Sequence, residues 1–194
     1  MKILNQRKSF DCDHSSVNYE FISDKKISDE AKKFAKKSSQ RFKIGRNKLE
    51  ITIPGEKYLG ARIQDALLEK YDIPLLIYED YDWWNFLLMF EYDEKLMKRL
   101  EKFDGIGGDH TINVTEKCKK IELWITVHID YDHFDTAPFK ELGGIFLDIR
   151  KDILNNNFES LRILKKYCEG EDLSDFQPSS ELYKKLVSTL DKNW

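Results

Sequence analysis

Apolar and polar positions along this chain follow either a period of two or a helical period, and the stretch that anchors the rest is Ile73 to Tyr92, I-P-L-L-I-Y-E-D-Y-D-W-W-N-F-L-L-M-F-E-Y. Two apolar runs flank a short acidic turn at Glu79 to Asp82, the pattern of a β-hairpin. On the second run Trp84, Phe86, Leu88 and Phe90 fall on one side while Trp83, Leu87 and Met89 fall on the other, so both faces need cover. Such a hairpin belongs in the middle of a sheet.

Upstream, residues 1 to 15 lack periodicity and read as a loose arm. Val17, Tyr19 and Phe21 share one face of a first strand, Val17 to Ile22. Ser28 is placed to accept the unpaired amides of a helix start, Asp29 and Glu30 suit its positive end, and the helix runs to about Gln40. Leu49, Ile51 and Ile53 alternate in a second strand that Pro54 and Gly55 end. Ile63, Ala66, Leu67 and Tyr71 form the stripe of a second helix, closed at Ile73-Pro74.

Beyond the hairpin, Asp93 caps a third helix with Leu96, Met97, Leu100 and Phe103 inward. Asp104 to Asp109, D-G-I-G-G-D, reads as a flexible loop. His110 to Thr115 pairs across a turn at Glu116 to Lys119 with Ile121 to Ile129, where apolar odd positions alternate with Glu122, Trp124, Thr126 and His128. From Phe139 the period is helical, with one stripe of Phe139, Leu142, Phe146, Ile149 and Ile153, a break at Asn155 to Asn157, and a second stripe of Phe158, Leu161, Leu164 and Cys168. The short link predicts an antiparallel helical hairpin. A last helix carries Leu182, Leu186 and Leu190. The pattern predicts an α+β fold: a mostly antiparallel sheet of about five or six strands, with helices packed on it and a C-terminal helical hairpin. The organisation is an arm at 1–15, an α+β domain at 16–168, and a polar loop with a tail helix at 169–194.

Composition narrows the class. Hydrophobic residues make up 41% and aromatics 13% of 194 residues, with 9 glycines and 4 prolines, which excludes collagen-like and low-complexity chains. No apolar run approaches the roughly 20 residues that span a bilayer, and the first ten residues show no signal-peptide core, so a cytoplasmic protein without a membrane partner is expected. Cys12, Cys118 and Cys168 are too few and too scattered for a disulfide framework, and Cys118, between lysines, reads as a somewhat activated thiol.

Net charge is −3, yet Lys25 to Lys48 holds ten Lys or Arg against Asp29 and Glu30, leaving −11 for the remainder. Lys32, Lys33, Lys36 and Lys37 lie opposite Ala31, Phe34 and Ala35 at helical spacing. They read as a solvated basic face, with docking on phosphates or on an acidic partner as the functional alternative.

The order of motifs also carries a resemblance. The strand N-Y-E-F-I-S followed by D-K-K-I-S-D-E, the helix ending S-S-Q-R-F-K-I, the E-K-Y-D-I-P-L-L-I-Y hairpin and the late L-G-G-I-F-L-D-I-R-K-D-I-L-N-N-N-F-E-S-L-R-I-L pair resemble a widespread family of uncharacterised bacterial proteins, over about Ser16 to Tyr167. In that family a Y-Y-E-F strand, a K-Y-F-D hairpin and a closing leucine-arginine helix pair recur. The resemblance implies a small bacterial cytoplasmic protein with no established activity. It carries over Arg150, with the role of an ion pair to Asp152 or to a sheet residue. The lysine-rich helix, the W-W turn and the segment near residue 130 depart from the family and are where a function of its own would lie.

Candidate chemistry is thin. In H-I-D-Y-D-H-F-D, strand alternation puts His128 and Asp130 on one face, about 6–7 Å apart at the backbone and within reach of a shared cation, with Asp132 and His133 following. The string is similar to the H-x-H-x-D-H motif of metallo-β-lactamase-fold hydrolases with Asp130 in place of a histidine, but no histidine follows His133. D-C-D-H at Asp11 to His14 is a lone cluster, and D-G-I-G-G-D-H lacks the lysine and hydroxyl of a phosphate loop. No metal and no cofactor are expected.

These readings converge on a non-enzymatic protein-protein interaction or assembly module, acting on another protein or by self-association through Tyr81, Trp83 and Trp84 at the hairpin turn. Adjacent strand positions face opposite sides, so the two tryptophans cannot share one core. The alternatives are a metal-dependent hydrolase at His128, Asp130, Asp132 and His133, and a nucleic-acid-associated protein using Lys32, Lys33, Lys36 and Lys37. The latter is disfavoured because no aromatic lies between those lysines on the same exposed stripe for base stacking.

Overall fold

The alternating segments pair into one seven-stranded antiparallel sheet in a computed structural model, which describes residues 16–38, 41–54, 58–80, 83–105, 110–128, 137–171, 173 and 180–191. The strands are β1 (Ser16–Ile22), β2 (Arg41–Ile44), β3 (Lys48–Pro54), β4 (Leu75–Asp80), β5 (Trp83–Glu91), β6 (His110–Lys117) and β7 (Lys120–His128). Their order across the sheet is β2-β3-β1-β4-β5-β7-β6, so the anchoring hairpin is central as its pattern requires. The helices are α1 (Asp29–Ser38), α2 (Ala61–Asp65) continuing into a π-helical turn Ala66–Lys70, α3 (Glu94–Leu100), α4 (Ala137–Leu154), α5 (Glu159–Cys168) and α6 (Glu181–Asp191).

The α+β class holds, and β2 is the strand that periodicity missed. It has only Phe42 and Ile44 alternating with Arg41 and Lys43, and four residues are too few to register against a lysine-rich helix. Helix α6 is also no appendage. Tyr183 and Leu186 are buried in the same core as α4 and α5, and the Tyr183 hydroxyl donates to Asp152 Oδ2 at 3.0 Å while accepting from Asn157 Nδ2 at 2.5 Å. The arm at 1–15 lies outside the described residues.

Because side chains alternate across a strand, each sheet face has its own core. On one face Ile22, Leu75, Ile77, Trp84, Phe86, Leu88, Phe90, Leu123 and Ile125 pack with residues of α3 to α6, and Phe86 stacks on Phe146 with ring centroids 3.9 Å apart. On the other, Tyr19, Phe21, Leu49, Ile51, Leu76 and Leu87 pack with Ala31 and Ala35 of α1 and with Leu67 and Leu68 of the π turn. The first core draws on β1 and β4 to β7 and the second on β1 and β3 to β5. Helix cover is therefore diagonal, and each face has one half that the described helices do not bury.

Local chemistry sets the boundaries. Ser28 Oγ accepts from Ala31 N at 3.1 Å and Asp93 Oδ1 from Leu96 N at 2.7 Å, the two predicted caps. Helix α4 ends with Asn156 at φ 66°, Asn157 N donating to the Asp152 carbonyl and Asn156 N to that of Ile153, which is why the asparagine run stops the helix. Gly143 lets α4 approach β1, since a Cβ there would lie 2.5 Å from Ile22 Cδ1.

Arg150 has a role different from the ion pair its resemblance implied. Met89 N donates to the Pro74 carbonyl, but Pro74 has no N–H to return, so the Met89 carbonyl would be left without a ladder partner. Arg150 Nε donates to it at 2.7 Å, and the guanidinium lies over the Phe90 ring at 5.4 Å. Burial holds the arginine below its ordinary pKa.

Candidate functional site

The register of β5, β7 and β6 assembles an aromatic and amide surface at the margin of the second core, where Tyr78 and Trp124 pack against it. Tyr78 pairs with Asn85, Asn85 with Thr126 and Thr126 with Thr111 in one row; Leu87, Trp124 and Asn113 form the next. Tyr78 stacks on Tyr19 at 5.2 Å, and Trp124 meets Tyr78 edge-on at 6.3 Å. Asn85 is buried, and its Oδ1 accepts from Thr126 Oγ1 at 3.0 Å. Tyr78, Trp83 and Trp124 are half-buried, and Asn113 is exposed.

Trp83 and Trp84 divide as alternation demands. Trp84 lies in the core, 5% exposed and edge-on to Phe86 at 6.4 Å, so it is not a contact residue and its place in the predicted surface is corrected. Trp83 is on the opposite face, at the border of the aromatic surface. Tyr81 lies outside the described residues. Tyr78, Asn85, Trp124 and Thr126 were not picked out from sequence, although a tryptophan among the polar positions of β7 is a legible sign of an exposed ring.

One end of this surface is electrostatically fixed. Glu122, 8% exposed, accepts from Trp124 Nε1 at 3.2 Å. Lys117 bridges Asp65 at 2.5 Å and Glu69 at 3.6 Å, and the Asp65 hydrogen bond is the main reason its pKa is raised. Cys118 is not an activated thiol. Glu69 raises its pKa more than Lys117 lowers it, and Cys168 is pushed up to about 12 by burial.

The remaining candidates are only partly among the described residues. His128 takes the register position opposite Trp83, while Asp130, Asp132 and His133 lie outside the described residues. The His110 ring lies 5.0 Å from that of Tyr167, which belongs to the first core. Among the described residues no group of three His, Cys, Asp or Glu is arranged to hold a metal. Lys33, Lys36 and Lys37 are exposed and Lys32 half-buried, with the Lys36 ammonium 5.8 Å from the centroid of Phe42. No helix among the described residues is long and apolar enough to cross a membrane. Comparison with protein-family models, curated proteins and solved structures finds no match for this chain.

Proposed function

We propose that the protein is a non-enzymatic interaction module that binds a partner protein on the aromatic-amide half-face of β5, β7 and β6. The observation that carries this is the juxtaposition of three half-buried rings, Tyr78, Trp83 and Trp124, with the Asn85, Thr126, Thr111 and Asn113 hydrogen-bonding groups, at the margin of the second core, against which Tyr78 and Trp124 pack. Tyrosine and tryptophan supply much of the binding energy at interface centres, often ~2 kcal/mol or more each. The charges at its border, Lys117 with Asp65 and Glu69, are paired with one another, so the partner presents a patch of apolar residues and a few hydrogen-bonding groups.

The test places a photo-crosslinking residue at Asn113 and, as control, at the exposed Lys151 on α4. In cells, Asn113 should give a discrete adduct that is lost when Trp124→Ala is added, with the fold checked by thermal melting. Equal labelling at the two positions, or an adduct indifferent to Trp124→Ala in a folded variant, overturns the proposal.

A further inference from the structure

The two edges of the sheet are treated differently. In β6 the residues that pair with β7 by hydrogen bonds are the odd ones, so the main-chain groups of Ile112 and Val114 point outward. Both are occupied. Asp104 Oδ1 accepts from Val114 N at 2.7 Å, and Gly105 N donates to the Ile112 carbonyl at 3.0 Å. Thus the start of D-G-I-G-G-D is an edge guard and not a free turn, although its residues 106–109 lie outside the described ones.

At the other edge, Gly45 N donates to the Lys48 carbonyl at 2.8 Å, which fixes the ladder so that Arg41 and Lys43 face β3. The N–H and C=O groups of Phe42 and Ile44 therefore point outward, and among the described residues β2 pairs with β3 alone. Exposed cations surround this edge: Lys36 and Lys37 end α1, Arg41 and Lys43 lie on the strand, and Arg46 follows it. The acid facing Lys43, Glu50, is shared with Lys48.

We infer that the outer edge of β2 is a docking site for an acidic, extended segment of a partner protein, added to the sheet as a further strand. Main-chain bonds to Phe42 and Ile44 supply the pairing, and the basic border selects the charge. A second copy of this chain does not fit. Antiparallel pairing of two β2 edges would set the Arg41 and Lys43 of both chains against one another, and like charges across a ladder are destabilising. Nucleic acid fits less well, because it has no use for alternating strand donors and acceptors, and the Phe42 ring is half-buried beneath Lys36 and not offered for stacking. The site is separate from the aromatic half-face, at the opposite end of the strand order, so its failure and the failure of that proposal are distinct.

The probe is a short peptide alternating glutamate with valine, compared with its lysine-valine counterpart and with a short DNA duplex, in about 150 mM salt, where exposed charges are substantially screened. The acidic peptide should bind and should slow amide exchange at Phe42 and Ile44 in the unmodified protein. Charge reversal at Lys37→Glu with Arg46→Glu should weaken it about tenfold. These two positions flank β2 without supplying its ladder. Absence of binding, unchanged exchange at Phe42 and Ile44, indifference to the charge reversal, or tighter binding of the duplex each overturns the inference.

Discussion

The two half-faces that the described helices leave uncovered differ in what their side chains do for each other. On the β1-β3-β2 side, Lys48 Nζ lies 2.6 Å from Glu20 and 3.2 Å from Glu50, Lys43 lies 3.0 Å from Glu50, and Thr52 Oγ1 donates to Asn18 at 2.8 Å. Polar groups there are spent on cross-strand partners. On the β5-β7-β6 side the rings are only part-covered, and Asn113 reaches Thr111 at a long 3.4 Å. One half of the sheet is thus a self-contained charge ladder, and the other carries part-covered rings among neutral hydrogen-bonding groups, which is why the second is the one proposed for recognition.

The contrast breaks most visibly at the two adjacent tryptophans. Trp84→Ala removes a core ring and should destabilise the protein by about 3–5 kcal/mol. Trp83→Ala should cost clearly less, since that ring is half-buried on the open side, and it should lower partner adduct formation instead. Chemical denaturation of the two variants, side by side, checks this; equal losses would place Trp83 in the structural class.

The ladder comes next. Lys48→Met leaves Glu20, whose side chain is 12% exposed, without its cation and should cost about 1–3 kcal/mol, whereas Thr126→Val on the other half should cost less than about 1 kcal/mol. The acids of the ladder titrate in opposite senses. Burial raises the Glu20 pKa above its ordinary 4.5 more than Lys48 lowers it, so its contribution is present at low pH and is lost as pH rises through the raised value. Glu50, held by Lys43 and Lys48 below 4.5 despite its partial burial, contributes stability at higher pH that is lost as pH falls through its lowered value. Burial pulls the Lys48 pKa down, but Glu20 and Glu50 together raise it above its ordinary value. Glu20→Gln should remove the first effect and leave the second, measured as unfolding free energy from about pH 3 to 7.

The edges give the third comparison. Asp104→Ala frees the Val114 N–H and should cost about 1–3 kcal/mol. It should also convert β6 into an open strand edge, seen as concentration-dependent sedimentation absent from the parent protein. A monomeric variant with unchanged stability would show that the guard has no such role.

Alternation revealed the central hairpin, the split of Trp83 and Trp84, and the β6-β7 pair, because a period of two is written directly into residue type wherever a face is buried. It was silent on β2, where Arg41 and Lys43 look like a continuation of the lysine-rich helix, and on Arg150, whose partner is a carbonyl 61 residues away that matters only because Pro74 cannot donate. The candidate site was half legible for the same reason. Trp83 and Trp124 are visible as residue types, but their meeting with Tyr78 and Asn85 depends on strand order, which no local pattern encodes.

The smallest effect concerns the turn that joins β6 to β7 and so holds the proposed recognition side in register. Lys117 and Lys120 pair across a two-residue loop in which Cys118 has φ 52° and Lys119 φ 63°, a double left-handed turn that suits the right-handed twist of the hairpin but not side chains with a Cβ. Nothing in the Lys119 side chain offsets this among the described contacts, while its backbone carbonyl accepts from Tyr92 N at 3.1 Å and is untouched by substitution. Lys119→Gly should therefore stabilise the protein by up to about 1 kcal/mol, with the entropy of a more flexible unfolded chain opposing part of the gain. Cys118→Asn should add a smaller increment, and removing an exposed thiol simplifies the measurement. Because the turn fixes which residues of β6 stand beside Trp124 and Thr126, the stabilised variant should bind the partner at least as well as the parent. Weaker binding in a more stable protein would mean that the hairpin must flex to engage, and the aromatic surface would then be an adaptable site and not a preformed one.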